Sequence, residues 1–330
     1  MAKYAGSSFS VRLIDGHNLA PAIMENASMS RESITQQTNP FGVTGESHTP
    51  VGLVKGILVA GGGLYDAAVD TLHTAVATVI GVSRIVAAAI HGNTIGKPFM
   101  GFEGAIDTKY EVIDAKDGIT KANVTYLVTG AVDDGVIVQH LLAYTADWDT
   151  KTGGAGATDA PVDYSVDPIQ RQFTITGSTK ANPCEVTTAK AHGLTTGQKV
   201  LISGNTLAVP DINSDLAVTV TGTTTFTVAI DTTASTGTGN DGTLIRTSSV
   251  AGGVGYLEVT AFTVATNTVV KIMHSPDDIT YSALITFATI TAANSKERKT
   301  VSGTVDRYLS SNGVLTGAGS ITVFTGLSRN

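Results

Sequence analysis

Leu216-Ala217-Val218-Thr219-Val220-Thr221 and, after a Gly-Thr-Thr link, Thr225-Phe226-Thr227-Val228-Ala229-Ile230 alternate apolar side chains with small or hydroxylated ones. Successive side chains of an extended chain point to opposite faces, so this period of two marks strands with one buried face. Working outward, the same alternation predicts strands over Gly255 to Phe262, Val269 to His274, Ile285 to Thr291, Thr300 to Ser310 and Ser320 to Thr325. Turns are expected where Gly, Asn and Asp gather, at Ser311-Asn312-Gly313 and Pro276-Asp277-Asp278. The predicted class is mainly β, a sandwich or barrel with one short helix. That helix is expected over Gly62 to His73, where Leu64, Ala68, Leu72 and Val76 recur on one face, with a weaker helical signal over Ser28 to Gln37.

Composition divides the chain. A loose stretch, Lys151 to Thr158, and an acidic one, Asp159 to Asp167, precede a Thr-rich segment that closes at Thr236 to Thr243. Residues 176–246 therefore read as a small all-β domain inserted into a larger β domain made of 1–175 and 247–330. Gln170 to Thr174 and Val254 to Thr260 are assigned to the larger sheet.

The 330 residues include 36 Gly but only 15% charged residues, against roughly 25% in an average domain. With 42% hydrophobic residues and a net charge of −7, the chain should fold rather than stay disordered. A lone cysteine, Cys184, cannot form an internal disulfide, which suits a reducing compartment. The N-terminus lacks a signal-peptide core, and the most apolar stretch, Ala75 to Ile90, is broken by Ser83 and Arg84, so no membrane partner is expected. The densest basic run, Lys296-Glu297-Arg298-Lys299, reads as a solvated turn and is too small to grip nucleic acid.

No motif predicts catalysis, a cofactor or a metal. Gly237 to Gly242 matches G-x-G-x-x-G but lies between Thr-rich strands with no helix after it, so a flexible hairpin loop is expected. Gly61-Gly62-Gly63 is not followed by a P-loop Lys. His17, His48, His73, His91, His140, His192 and His274 show no ligand spacing. The pairs Asp133-Asp134 and Asp277-Asp278 adjoin Gly or Pro and read as turn residues.

The C-terminal third resembles the major tail tube proteins of long-tailed, siphovirus-like bacteriophages. The resemblance lies in Gly252-Gly253-Val254-Gly255-Tyr256-Leu257-Glu258-Val259-Thr260-Ala261, then Val270-Lys271-Ile272-Met273-His274-Ser275, then Val301-Ser302-Gly303-Thr304-Val305-Asp306-Arg307-Tyr308-Leu309. Gly16-His17-Asn18-Leu19 and Gly63-Leu64-Tyr65-Asp66 add to it. Separately, Ala191-His192-Gly193-Leu194 and its surroundings resemble a small β module embedded in many phage structural proteins, in which the histidine is structural.

The resemblance implies a non-enzymatic virion subunit, made in the host cytoplasm, that joins five others in a ring. Rings stack into a tube for genome delivery. Implied partners are further copies of itself, a tape measure protein in the lumen, terminator and tail-tip proteins at the ends, and DNA that passes without specific binding. Expected interface residues are Pro40, Phe41, Gly42 and Pro50, in a long loop from Gln36 to Val54, and Phe324 in a C-terminal arm, Phe324 to Asn330. The first ten residues form a second candidate arm. The alternative is another β-rich virion component: a tail-tip, head-decoration or carbohydrate-binding surface protein.

Overall fold

The computed structural model describes residues 11–19, 27–37, 48–64, 81–89, 92–113, 121–128, 130–149, 161–164, 172–207 and 210–330. Among them the regular structure is all strand: β1 Val11–Ile14, β2 His17–Asn18, β3 Ala27–Gln37, β4 His48–Leu64, β5 Ser83–Ala89, β6 Pro98–Ile113, β7 Lys121–Val128, β8 Val132–Tyr144, β9 Trp148–Asp149, β10 Val162–Asp163 and β11 Phe173–Ser178. The series continues with β12 Cys184–Thr188, β13 Lys199–Ser203, β14 Asp215–Val220, β15 Thr225–Val228, β16 Thr243–Arg246, β17 Gly253–Phe262, β18 Asn267–Ser275, β19 Ser282–Thr286, β20 Lys296–Val301, β21 Tyr308–Thr316 and β22 Ile321–Arg329.

The largest sheet runs β2-β1-β5-β6-β8-β22-β17-β20 and curls until β2 approaches β17 and β5 approaches β20. Its inner face collects one or two apolar residues from each of six strands: Leu13, Ala87, Ala89, Phe99, Ile137, Phe324, Val254 and Tyr256. The space is filled by rings laid over backbone. A Cβ on Gly101 would stand 2.4 Å from Tyr256, and one on Gly326 would stand 2.5 Å from Phe99. On the outer face of β8, β17 and β22, a second sheet, β10-β21-β18-β19 with β9 beside β21, packs through Val136, Leu257, Val323, Ile272, Ile285 and Leu309. This is face-to-face sheet packing, with neighbouring residues in one strand serving opposite cores.

From this body the second half of β6 continues with β7 on its edge, then β4, then β3. These strands form an arm whose outermost member, β3, pairs with β4 alone among the described residues.

Residues Phe173–Arg246 close a barrel of six strands in the order β11-β12-β15-β14-β13-β16. The alternation of the opening stretch does what the period demands. Val218, Phe226 and Val228 point inward with Val186, Val200, Ile202 and Leu244. The barrel starts earlier than the sequence suggested, because Phe173 and Thr174 pair with Leu244 and Thr243 of β16 and not with the larger sheet.

Several expectations fail for identifiable reasons. Ser28 to Gln37 is strand, not helix: its ladder with β4 runs from Ala27↔Ala60 to Gln37↔His48, and tertiary pairing overrides a weak local signal. Gly62–Leu64 end β4, so the expected short helix does not begin there, and its remaining residues lie outside those described. Ser311-Asn312-Gly313 is the middle of β21, paired with β18 and β9, and not a turn. Lys296 to Lys299 is an edge strand rather than a turn. Asp133 and Asp134 sit in β8. The expected C-terminal arm is β22, bonded on both sides by β8 and β17 in the middle of the sheet.

Candidate functional site

The curled sheet is fastened where its two ends meet by a chain of charged groups. The β1–β2 turn carries Asp15, at φ 50°, and Gly16, whose N–H donates to the Glu258 carboxylate of β17. Asp15 accepts from the Ile85 N–H at 3.0 Å and pairs with Arg84 at 3.3 Å and Lys296 at 2.9 Å. Gly16 is required by close approach, since a Cβ there would lie 2.4 Å from the Asn294 Cα. Glu258 is fully buried, and its Oε1 has no hydrogen-bond partner. Burial pushes its carboxyl well above the ordinary glutamate value, against the Gly16 N–H, which favours ionisation.

The folded pKa exceeds the unfolded one, so the cost of Glu258 is absent below the ordinary value of 4.5 and grows as pH rises above it. Glu258→Gln, which keeps an acceptor for Gly16, is therefore expected to match the native chain in acid and to exceed it in stability at mildly alkaline pH. Urea melts of both proteins across that range check this; parallel curves would show that Glu258 is not the titrating group.

A second cluster lies along the same two strands, β17 and β20. Arg298 of β20 donates from Nε at 3.0 Å and from Nη2 at 2.9 Å to Asp133, and its Nη1 pairs with Glu103 at 2.7 Å. The Tyr256 hydroxyl donates to the same Asp133 oxygen and accepts from Arg298 Nε at 3.0 Å. Burial, then the Asp133 carboxylate, pushes the Tyr256 hydroxyl up. These groups satisfy one another, so the cluster acts as a brace between β6, β8, β17 and β20. His274 pairs with Asp306 at 2.9 Å, while burial pulls its pKa down.

The inserted barrel has its own polar fastenings. His192 is 1% exposed, its Nδ1 accepts the Leu194 N–H at 2.9 Å, its ring sits edge-on to Phe226, and its carbonyl accepts from Arg246 at 2.6 Å. The histidine is built into the turn as the resemblance implied. The Gly237 to Gly242 loop is not loose: Asn205 Nδ2 donates to the Asp241 carbonyl at 2.7 Å, the Thr206 N–H donates to Asp241 at 2.8 Å, and Gly237 presses on the Thr206 carbonyl.

Of the expected interface residues, Pro40, Phe41 and Gly42 lie outside the described residues, as do the first ten. Gln36 and Gln37 end β3, and Pro50 stands in β4 opposite Thr35, so both described ends of the expected loop are paired strand. Phe324 is 0% exposed and packs edge-on to Phe99 at 5.9 Å, a core residue whose ring is spent inside the chain. Among the exposed apolar residues that sequence reasoning missed are Val112 and Ile113 at the end of β6 and Ile279 in the β18–β19 turn. For Ile279 the signal was an apolar side chain directly after the predicted turn Pro276-Asp277-Asp278. Among the described residues no cluster of three His, Cys, Asp or Glu could hold a metal ion, and no helix is long and apolar enough to cross a membrane.

No protein-family model and no curated protein matches the chain. Among solved structures, a chain from the tail of an empty GTA particle with C6 symmetry matches at 12% identity and a TM-score of 0.30, over 39% of this chain and 97% of its own. The SPP1 Dit protein, described as a hub adsorption apparatus in phages infecting Gram-positive hosts, matches at 10% identity and a TM-score of 0.27, over 96% of this chain and 98% of its own. Both superpositions are too distant to define a shared fold.

Proposed function

We propose that the chain is a non-enzymatic structural subunit of a phage tail, polymerising as stacked hexameric rings into the tube that conducts the genome to the host cell. The observation that carries this reading is the arm. β4 runs 17 residues and β6 runs 16, well beyond the mean strand of roughly 5–6. The outer edge of β3 has no strand partner among the described residues, and Val112 and Ile113, consecutive and so on opposite faces, are each 44% exposed. Open edges and uncovered apolar faces are liabilities in a monomer and joining surfaces in a polymer. The sequence resemblance supports the same reading independently of the arm. A net charge of −7 per copy suits a conduit that repels DNA phosphates rather than holding them. Tape measure, terminator and tail-tip proteins are its partners in this reading, and the virion tail is its place.

The barrel is proposed to project outward as a module dispensable for polymerisation. Its first and last strands, β11 and β16, are hydrogen-bonded neighbours, so chain enters and leaves about 5 Å apart and a short linker can bridge the gap. Replacing residues 173–246 by a few Gly and Ser residues is expected to leave assembly intact, at the loss of the Arg307–Asp215 contact at 4.0 Å and of the hydrogen bonds that Gln198, Lys199 and Asp215 make with Thr247 and Ser248. Negative-stain microscopy of the concentrated full chain tests the reading: rings and tubes are expected. Discrete monomers or trimers at every concentration would refute it and favour a tail-tip or decoration protein.

A further inference from the structure

Relative motion is the default expectation for two domains joined in one chain. The exit from the inserted barrel, Thr247-Ser248-Ser249, leads into Val250-Ala251-Gly252-Gly253 and has the composition of a flexible linker. Yet these three residues are only 0%, 3% and 2% exposed. On the barrel side, the Thr247 N–H donates to the Lys199 carbonyl at 3.0 Å and its hydroxyl donates to Asp215. The Ser248 carbonyl accepts from the Gln198 side chain at 2.8 Å, and its hydroxyl accepts from the Lys199 N–H at 2.8 Å. On the body side, the Thr247 carbonyl accepts from Arg329 at 2.7 Å. Ser249 and Val305 exchange two backbone bonds at 3.0 and 2.8 Å, and the Ser249 hydroxyl donates to the Asn330 carbonyl at 2.8 Å.

Thr247 is thus gripped by both domains, Ser248 by the barrel and Ser249 by the body, so each residue of the exit is bonded in place. The grips are themselves braced. The Arg329 guanidinium carbon lies 3.3 Å from the centre of the Tyr164 ring, and the Nη2 of Arg329 donates to the Asp306 carbonyl. Arg307 holds Asp163 of β10 through two nitrogens at 2.8 and 2.9 Å and comes within 4.0 Å of Asp215 of β14. Turning the barrel against the body would strip one set of these bonds from groups shut off from water, where an unmade hydrogen bond is costly.

We propose that residues 247–249 form a rigid coupling that holds the barrel at one angle to the body, with Arg329 gripping from the body and Asp215 from the barrel. The coupling is a property of the single chain and stands apart from the polymerisation reading. Its consequence for a polymer is that every barrel keeps the same attitude to its own subunit, giving a regular outer array rather than a fringe of tethered modules.

The test places one spin label on the barrel, through Lys180→Cys, and one on the body, through Thr289→Cys, both exposed positions of the full chain. Cys184 is fully buried and escapes labelling. Labelled chain is diluted into excess unlabelled chain, so that only distances within one chain are read by pulsed electron paramagnetic resonance. The otherwise native chain is expected to give a single narrow distance, and Arg329→Met combined with Asp215→Ser is expected to replace that peak by a broad distribution. If the combined variant lowers the melting temperature, a Gly-Ser-Gly insertion between Ser248 and Ser249, which parts the two grips, takes its place. A broad distribution in the otherwise native chain would overturn the coupling. A distribution that stays narrow after the grips are removed or parted would overturn the role given to these residues.

Discussion

Gly313→Ala is expected to lower the unfolding free energy by about 3 kcal/mol, the upper range for overpacking a filled core. Gly313 of β21 faces Trp148 of β9 across the ladder, and an added Cβ would lie 2.0 Å from the indole ring. The ring cannot swing aside cheaply: it is 1% exposed, stacks on Tyr144 with centroids 4.4 Å apart, and donates from Nε1 to Ser311 at 3.3 Å. A urea melt measures the loss, and Trp148→Leu placed in the Gly313→Ala background should recover part of it. A Gly313→Ala protein as stable as the native one would mean that the ring does not lie over this backbone.

Asp133→Ala is expected to cost about as much, near 3 kcal/mol, because it leaves the Arg298 guanidinium, only 12% exposed, without its main partner inside the protein. Removing one partner of a buried ion pair typically costs 3–5 kcal/mol. The lower end applies here, since Glu103 stays in contact and is itself 52% exposed. Asp133→Ala combined with Arg298→Met should cost less than the sum of the two single changes, because no orphaned charge remains. Strict additivity would show that the two groups are not coupled across the β8–β17–β20 brace.

Strand alternation was legible because each residue's face is set by its immediate neighbours. Thr225–Val228 and Asp215–Val220 fall where the pattern placed them. What misled was chemistry that depends on distant residues. Asn312-Gly313 has the composition of a turn, but its glycine makes room for an indole from a strand far away in sequence. Asp133-Asp134 and Lys296 to Lys299 looked like solvated loops, yet Asp133 and Arg298 find each other across the sheet and are drawn into it. The fourfold spacing that suggested a helix at Leu64 begins inside a long strand whose pairing with β7 local periodicity does not report. Phe324, expected in a C-terminal arm, lies instead among the buried residues on the inner face of the curled sheet.

The low charge content that first served to exclude disorder also fits a subunit covered by its neighbours, as interface cores are depleted of charged side chains. The mass of the species in solution decides whether such neighbours exist. Sedimentation of the purified full chain should show, besides the 33.9 kDa monomer, a discrete species of about 200 kDa and larger stacked multiples that grow with concentration. A single 33.9 kDa species up to the highest soluble concentration would contradict the tail-tube reading.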